Sequence, residues 1–342
     1  MKLSPTLSSL SILWVLTIGF VSFSYSLEEV SGANATLETM PSAQNAGLGA
    51  IRSSAEHYLG DGGFDPTSIL SIQGHQIELA HSEEFGGGSY DWIAWGGFVD
   101  STHQSVLSLQ FSRYYLGDIK ITEEGPIYEG TDIPRQDISD YVLTGVWATK
   151  YRFLEYGMNF HTLYRQHTQE GVGFRLDGAI SSNWLSNYRT ALIFQGFSSS
   201  ATKWESDQLE YSPLEIFMTQ KWSQHLPFFY GRLSFLWQSA GFIHKRPNRL
   251  LSEGRDGLNQ NFGDWLGGSH LGTEFHLDNG VIVRSGLQNA DEFKTWTAGV
   301  GVKLLSRFQA DYGMQSHSEL GRIHRVSLSY FIEPRVDKLK FK

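Results

Sequence analysis

Cysteine is absent from the 342-residue chain, which excludes disulfides, thiolate metal sites and cysteine nucleophiles while leaving an oxidising compartment open. Charge is sparse as well: charged residues make up 18% of the chain and the formal net charge is -9, a balance that argues against nucleic acid as a partner. Beyond residue 26 no apolar run approaches the roughly 20 residues of a spanning helix. That excludes a helical membrane bundle but not a barrel, whose strands hide their apolar residues by alternation. Proline is scarce, 9 residues against 36 glycines, whereas hydrophobic residues reach 40% and aromatics 14%. Such a chain is too apolar to stay disordered.

What is present begins with a leader. Met1-Lys2 is a short positive start, Leu10 to Phe23 is an apolar core, and Ser24-Tyr25-Ser26 supplies small residues at cleavage spacing. The pattern predicts export and cleavage after Ser26; the run is short for a retained anchor. Lys2 is the only charge in the leader, so its removal takes the net charge from -9 to -10. No cysteine follows the core, so a lipoprotein anchor is excluded.

Residues 27–74 form a lead-in rich in glycine, serine and alanine, with a helix candidate from Ser42 to Tyr58 that stops at Leu59-Gly60-Asp61-Gly62-Gly63. From residue 75 the period changes to two. Ala298, Val300, Val302 and Leu304 share one face while Thr297, Gly299, Gly301 and Lys303 share the other. Phe308, Ala310, Tyr312 and Met314 likewise oppose Gln309, Asp311, Gly313 and Gln315. Runs of this kind predict strands near 75–82, 89–99, 104–115, 138–151, 154–167, 171–183, 188–198, 211–223, 228–240, 264–277, 280–289, 295–304, 308–317 and 324–333.

With the N-terminus inside, the odd connections, including 116–137, 199–210 and 241–263, are long and external. The even ones, such as Arg152-Phe153 and Asp278-Asn279, are tight. Long external loops with short periplasmic turns are the outer-membrane pattern. The faces agree, since the non-apolar face is small or mildly polar with scattered charges such as Arg175, Asp177, Glu274 and Asp311. A soluble barrel would instead carry dense charge outside. The expected architecture is therefore all-β, a 14-stranded antiparallel outer-membrane barrel over 75–333, with a helical or looped plug at 27–74 and a periplasmic tail at 334–342. Trp92, Trp95, Tyr114, Tyr115, Trp184, Tyr188, Trp222, Phe228, Tyr230, Trp265 and Trp296 are candidates for the interfacial aromatic girdles.

Two blocks carry a family resemblance. Gln44-Asn45-Ala46-Gly47-Leu48-Gly49-Ala50, with Asp61-Gly62-Gly63-Phe64-Asp65-Pro66 and Ile69-Leu70, resembles the opening of the PorV/PorQ family. Asp311-Tyr312-Gly313-Met314 and Leu320 to Tyr330 look like its closing hairpin. The resemblance implies a fourteen-stranded barrel related in architecture to FadL-type transporters of hydrophobic compounds. For PorV-type members it also implies a part in type IX secretion. This chain departs from the family at Asp65-Pro66-Thr67, where Asn-Pro-Ala is usual, and in extending past the final strand.

Phe64, Asp65 and Pro66 are read as a turn, since proline forces the preceding residue out of the helical region, and as a hatch entering the lumen. No metal site is expected: there is no HExxH, and His75 and His81, or His161 and His167, lie about 20 Å apart at strand rise. No GxSxG or phosphate loop occurs, so neither catalysis nor a cofactor is expected. The basic stretch with Lys245, Arg246 and Arg249, and the apolar Ile127, Tyr128 and Ile133 in the loop before strand four, are partner-binding candidates. The leading expectation is a non-enzymatic export accessory that meets secretion-machinery proteins or cargo through these loops, amid outer-membrane lipid and lipopolysaccharide. The alternative is a FadL-like channel for a small hydrophobic ligand.

Overall fold

A computed structural model describes residues 35–39, 41–53, 58–72, 74–100, 102, 104–120, 135–185, 187–197, 200–207, 209–212, 214–239, 269–290, 293–304, 307–317 and 321–332. Strand formation follows the alternation. The strands are β1 (Gln76–Glu83), β2 (Ser89–Phe98), β3 (Ser105–Lys120), β4 (Arg135–Tyr151), β5 (Leu154–Gln166) and β6 (Glu170–Leu185). Next come β7 (Tyr188–Gln195 with Ser200–Trp204), β8 (Leu209–Ser212 with Glu215–Leu226) and β9 (Gly231–Gln238). The circuit is completed by β10 (His270–Leu277), β11 (Val281–Ala290), β12 (Phe293–Leu304), β13 (Phe308–His317) and β14 (Gly321–Phe331).

Each strand pairs antiparallel with its sequence neighbour, and β14 returns to β1 with Gln76 opposite Phe331 and Glu83 opposite His324. The fourteen-stranded barrel is thus closed, so no row of backbone N–H and C=O groups is left unpaired at an edge. Tight turns join one end. Asp278-Asn279-Gly280 is one of them, and Gly280 there takes a φ of 90°, a conformation that glycine adopts without steric cost.

Alternation sorts the two faces oppositely to a soluble protein. Outward positions carry Leu79, Ile93, Leu109, Phe111, Leu143, Trp147, Phe160, Val283 and Leu328, all exposed, whereas Glu78, Gln110, Asn159, Asp177, Glu274, Arg284 and Asp311 are buried inside. Only a lipid solvent makes that arrangement stable, because exposed apolar area is then not in water. The chain is a membrane-spanning barrel of the outer-membrane type.

Three expectations change. Of the helix foreseen over 42–58, the described residues up to 53 keep only α1 (Ala43–Gly47), N-capped by Ser42, because Gly47 and Gly49 weaken a helix; residues 54–57 lie outside the described residues. The connection 199–210 is in part a ladder, Ser200–Trp204 against Leu209–Ser212, so β7 and β8 reach farther out than their interrupted alternation implies. Trp92 and Tyr114 also leave the girdle set. Trp92 lies three residues from the outward Trp95 and therefore on the opposite face, where it is buried, and Tyr114 shares the inward parity of Gln110 and Ser112. Trp265 lies outside the described residues, as do residues 1–34 and the tail 334–342.

Candidate functional site

The N-terminal segment runs inside the barrel wall. α1 is followed by 3-10 turns at Gly60–Gly63 and Pro66–Ser71, and every residue of α1 is buried. Its seat is a row of inward glycines on consecutive strands: Gly272 faces Gly286 across β10 and β11, and Gly299 faces Gly313 across β12 and β13. A Cβ at Gly286 would stand 2.3 Å from the Gly49 nitrogen, one at Gly272 would be 2.8 Å from the Leu48 carbonyl, and one at Gly313 would be 2.2 Å from the Ala43 carbonyl. Backbone therefore lies directly on backbone. Between these glycines Thr297 Oγ1 accepts from the Gly49 N–H at 2.8 Å and donates to the Gly47 carbonyl at 3.0 Å.

Charged clamps hold the rest. Arg284 donates to Glu274 and Asp311, each at 2.7 Å, and to the Tyr58 hydroxyl oxygen at 2.7 Å. Gln309 donates to the same Tyr58 oxygen at 2.7 Å and Gln44 to Asp311 at 2.7 Å. Burial holds the Tyr58 phenol well above its ordinary pKa, with the Arg284 charge opposing the shift, so Tyr58 is neutral. Across the lumen Asp65 N-caps the second 3-10 turn, accepting from the Thr67 N–H at 3.0 Å, and is paired with Arg189 at 2.9 Å. Glu78 accepts from the Leu59 N–H at 2.9 Å, and Thr36 bonds Asp140.

The expected hatch residues all lie in this segment. Phe64 is 3% exposed and stands beneath Arg52, whose guanidinium carbon is 5.6 Å from the ring. Pro66 abuts the β5 wall at Gly157, where a Cβ would fall 2.8 Å from the proline's carbonyl carbon. Beside Phe64 is a cavity of about 30 Å³, lined by Leu37, Phe64, Tyr90, Trp92, Val142 and His161 among others. Ile127, Tyr128, Ile133, Lys245, Arg246 and Arg249 lie outside the described residues.

Arg284, Arg189, Tyr58 and the glycine row were missed by sequence reasoning. Parity alone places Arg284 inward, between the outward Val283 and Ser285. Nothing local names its partners, which are separated from it by as many as 226 positions.

No protein-family model and no curated protein sequence matches this chain. Among solved structures, the Pseudomonas putida toluene transporter TodX is similar at 9% identity with a TM-score of 0.54, over 90% of this chain and 98% of that one. The monoaromatic hydrocarbon channel CymD is similar at 8% identity with a TM-score of 0.53, over 86% of this chain and 98% of that one. At such identities the likeness establishes the outer-membrane barrel fold.

Proposed function

We propose that the protein is a gated outer-membrane channel for small hydrophobic molecules, FadL-like, in which residues 27–74 act as plug and hatch. The observation that carries this reading is the small cavity beside Phe64, between the N-terminal segment and the wall of β2 to β5, lined by Phe64, Tyr90 and Trp92 together with polar residues such as Gln110 and Thr144. Its volume is about 30 Å³, room for one water, whereas a benzene-sized guest occupies an apolar cavity on the order of 150 Å³. Passage then requires Phe64 or Leu37 to withdraw. Both belong to the segment rather than to the wall, so the barrier is one that can move while the barrel stays closed. The likeness to two hydrocarbon channels supports the same reading. The export-accessory reading rests on residues 125–134 and 244–249, which lie outside the described residues.

The test is uptake of radiolabelled toluene by Gram-negative cells expressing the protein. Expression raises toluene uptake without raising that of a hydrophilic sugar, and Phe64→Ala raises it several-fold further. Toluene uptake equal to that of cells without the protein removes the channel reading.

A further inference from the structure

The outer surface carries a polar row at one level of the wall. His81 faces Asp91, Asp91 faces Arg113, Arg113 faces Tyr141, and Tyr141 faces Tyr164. The parity is outward, since Phe111 and Leu109 on β3 and Leu143 on β4 lie below in the same file and are exposed. From Ser105 to Arg113 β3 has nine residues, the lower end of the roughly 9–11 that a tilted strand uses to cross the hydrocarbon layer. The row therefore marks the external edge of the hydrocarbon layer, where lipid headgroups begin.

Within this row Arg113 is distinctive. Its guanidinium lies over the Tyr115 ring at 4.8 Å and near the Tyr141 ring at 6.0 Å, while its Nε is buried without a hydrogen-bond partner. The carboxylates around it are engaged elsewhere. Asp91 turns to His81 at 2.7 Å, Asp137 accepts from the Tyr115 hydroxyl and the Asp118 N–H at 3.0 Å each, and Asp118 is paired with Arg135. Asp91, the carboxylate that faces it, is hydrogen-bonded to His81 instead, and a phosphate oxygen at headgroup level is a partner that the planar donors of the guanidinium fit.

We infer that Arg113, clamped by Tyr115 and Tyr141, binds a phosphate of an outer-leaflet glycolipid at the external membrane boundary. Recognition combines a charge-assisted hydrogen bond with aromatic surfaces that fix the cation and cover the upper acyl or sugar portion of the lipid. Asp91, next in the row, opposes the phosphate, so neutralising it strengthens binding. The site is independent of what crosses the lumen.

The experiment measures binding of diphosphoryl lipid A, and of the same lipid with its phosphates removed, to the purified full-length protein in detergent by native mass spectrometry. The wild type prefers the phosphorylated lipid by about tenfold or more, Arg113→Ala abolishes that preference, Arg113→Lys keeps part of it, and Asp91→Asn increases it. Heat-modifiable gel mobility checks that each variant is folded. Equal binding of the two lipids by the wild type, a measurement that needs no variant, overturns the proposal; so does an undiminished preference in folded Arg113→Ala. Equally tight binding of phosphatidylglycerol vesicles overturns the glycolipid assignment.

Discussion

Arg284 is buried completely and faces Glu274 and Asp311, so its charge is balanced inside the wall, and Tyr58 is what the N-terminal segment contributes to that balance. Removing the Tyr58 hydroxyl leaves donors of Arg284 and Gln309 unpaired, a loss of about 1–3 kcal/mol. Tyr58→Phe is therefore expected to lower the urea midpoint read by loss of heat-modifiable mobility. The pH dependence follows from the raised pKa. Because the folded phenol titrates above the unfolded one, its contribution is complete below about pH 10, the ordinary value for tyrosine, and is lost as pH rises from there toward the folded pKa. In Tyr58→Phe this alkaline loss is smaller, and an unchanged alkaline limb would disprove the assignment. Local rules made the Asp65-Pro66 turn legible, since proline restricts the residue before it. Arg189, 124 positions away, was not, because only barrel closure brings it to Asp65.

At the scale of elements, the glycine row governs how the segment is seated. Gly286 accepts the Gly49 backbone at a distance no side chain permits, so Gly286→Val is expected to lift α1 off the wall while the β10–β11 ladder persists, valine being a good strand residue. The expected result is a folded barrel with raised single-channel conductance in planar bilayers; wild-type conductance in that variant would show that the seat is not needed to keep the lumen closed. Sequence reading put Gly299 and Gly313 of that row on the non-apolar face, named neither Gly272 nor Gly286, and saw none of them as a floor. Glycine at an inward position reads equally as a small residue in a wet lumen, and the choice depends on what lies opposite. The overlong helix expectation has a related cause: Ala43, Ala46, Leu48, Ala50, Ile51 and Tyr58 are all buried, and apolar residues so placed need not belong to one helix.

For the whole molecule, closure of β14 on β1 satisfies the backbone by itself, so the segment is not needed to span the membrane, and the proposed function gives it the task of blocking the lumen. Deleting residues 27–72 is expected to leave a heat-modifiable barrel that admits hydrophilic sugars in liposome swelling. Failure of that variant to form a barrel would instead make the segment part of the folding core.

The amino-acid sequence by itself determined the strand order, the class of fold and the apolar outward face of the strands. A period of two is set by covalent geometry along one strand, and the turn residues are equally local. Only the tertiary structure decided which buried charges meet and where the N-terminal segment rests. Those depend on closing the sheet into a ring, which joins positions hundreds of residues apart that no local pattern links.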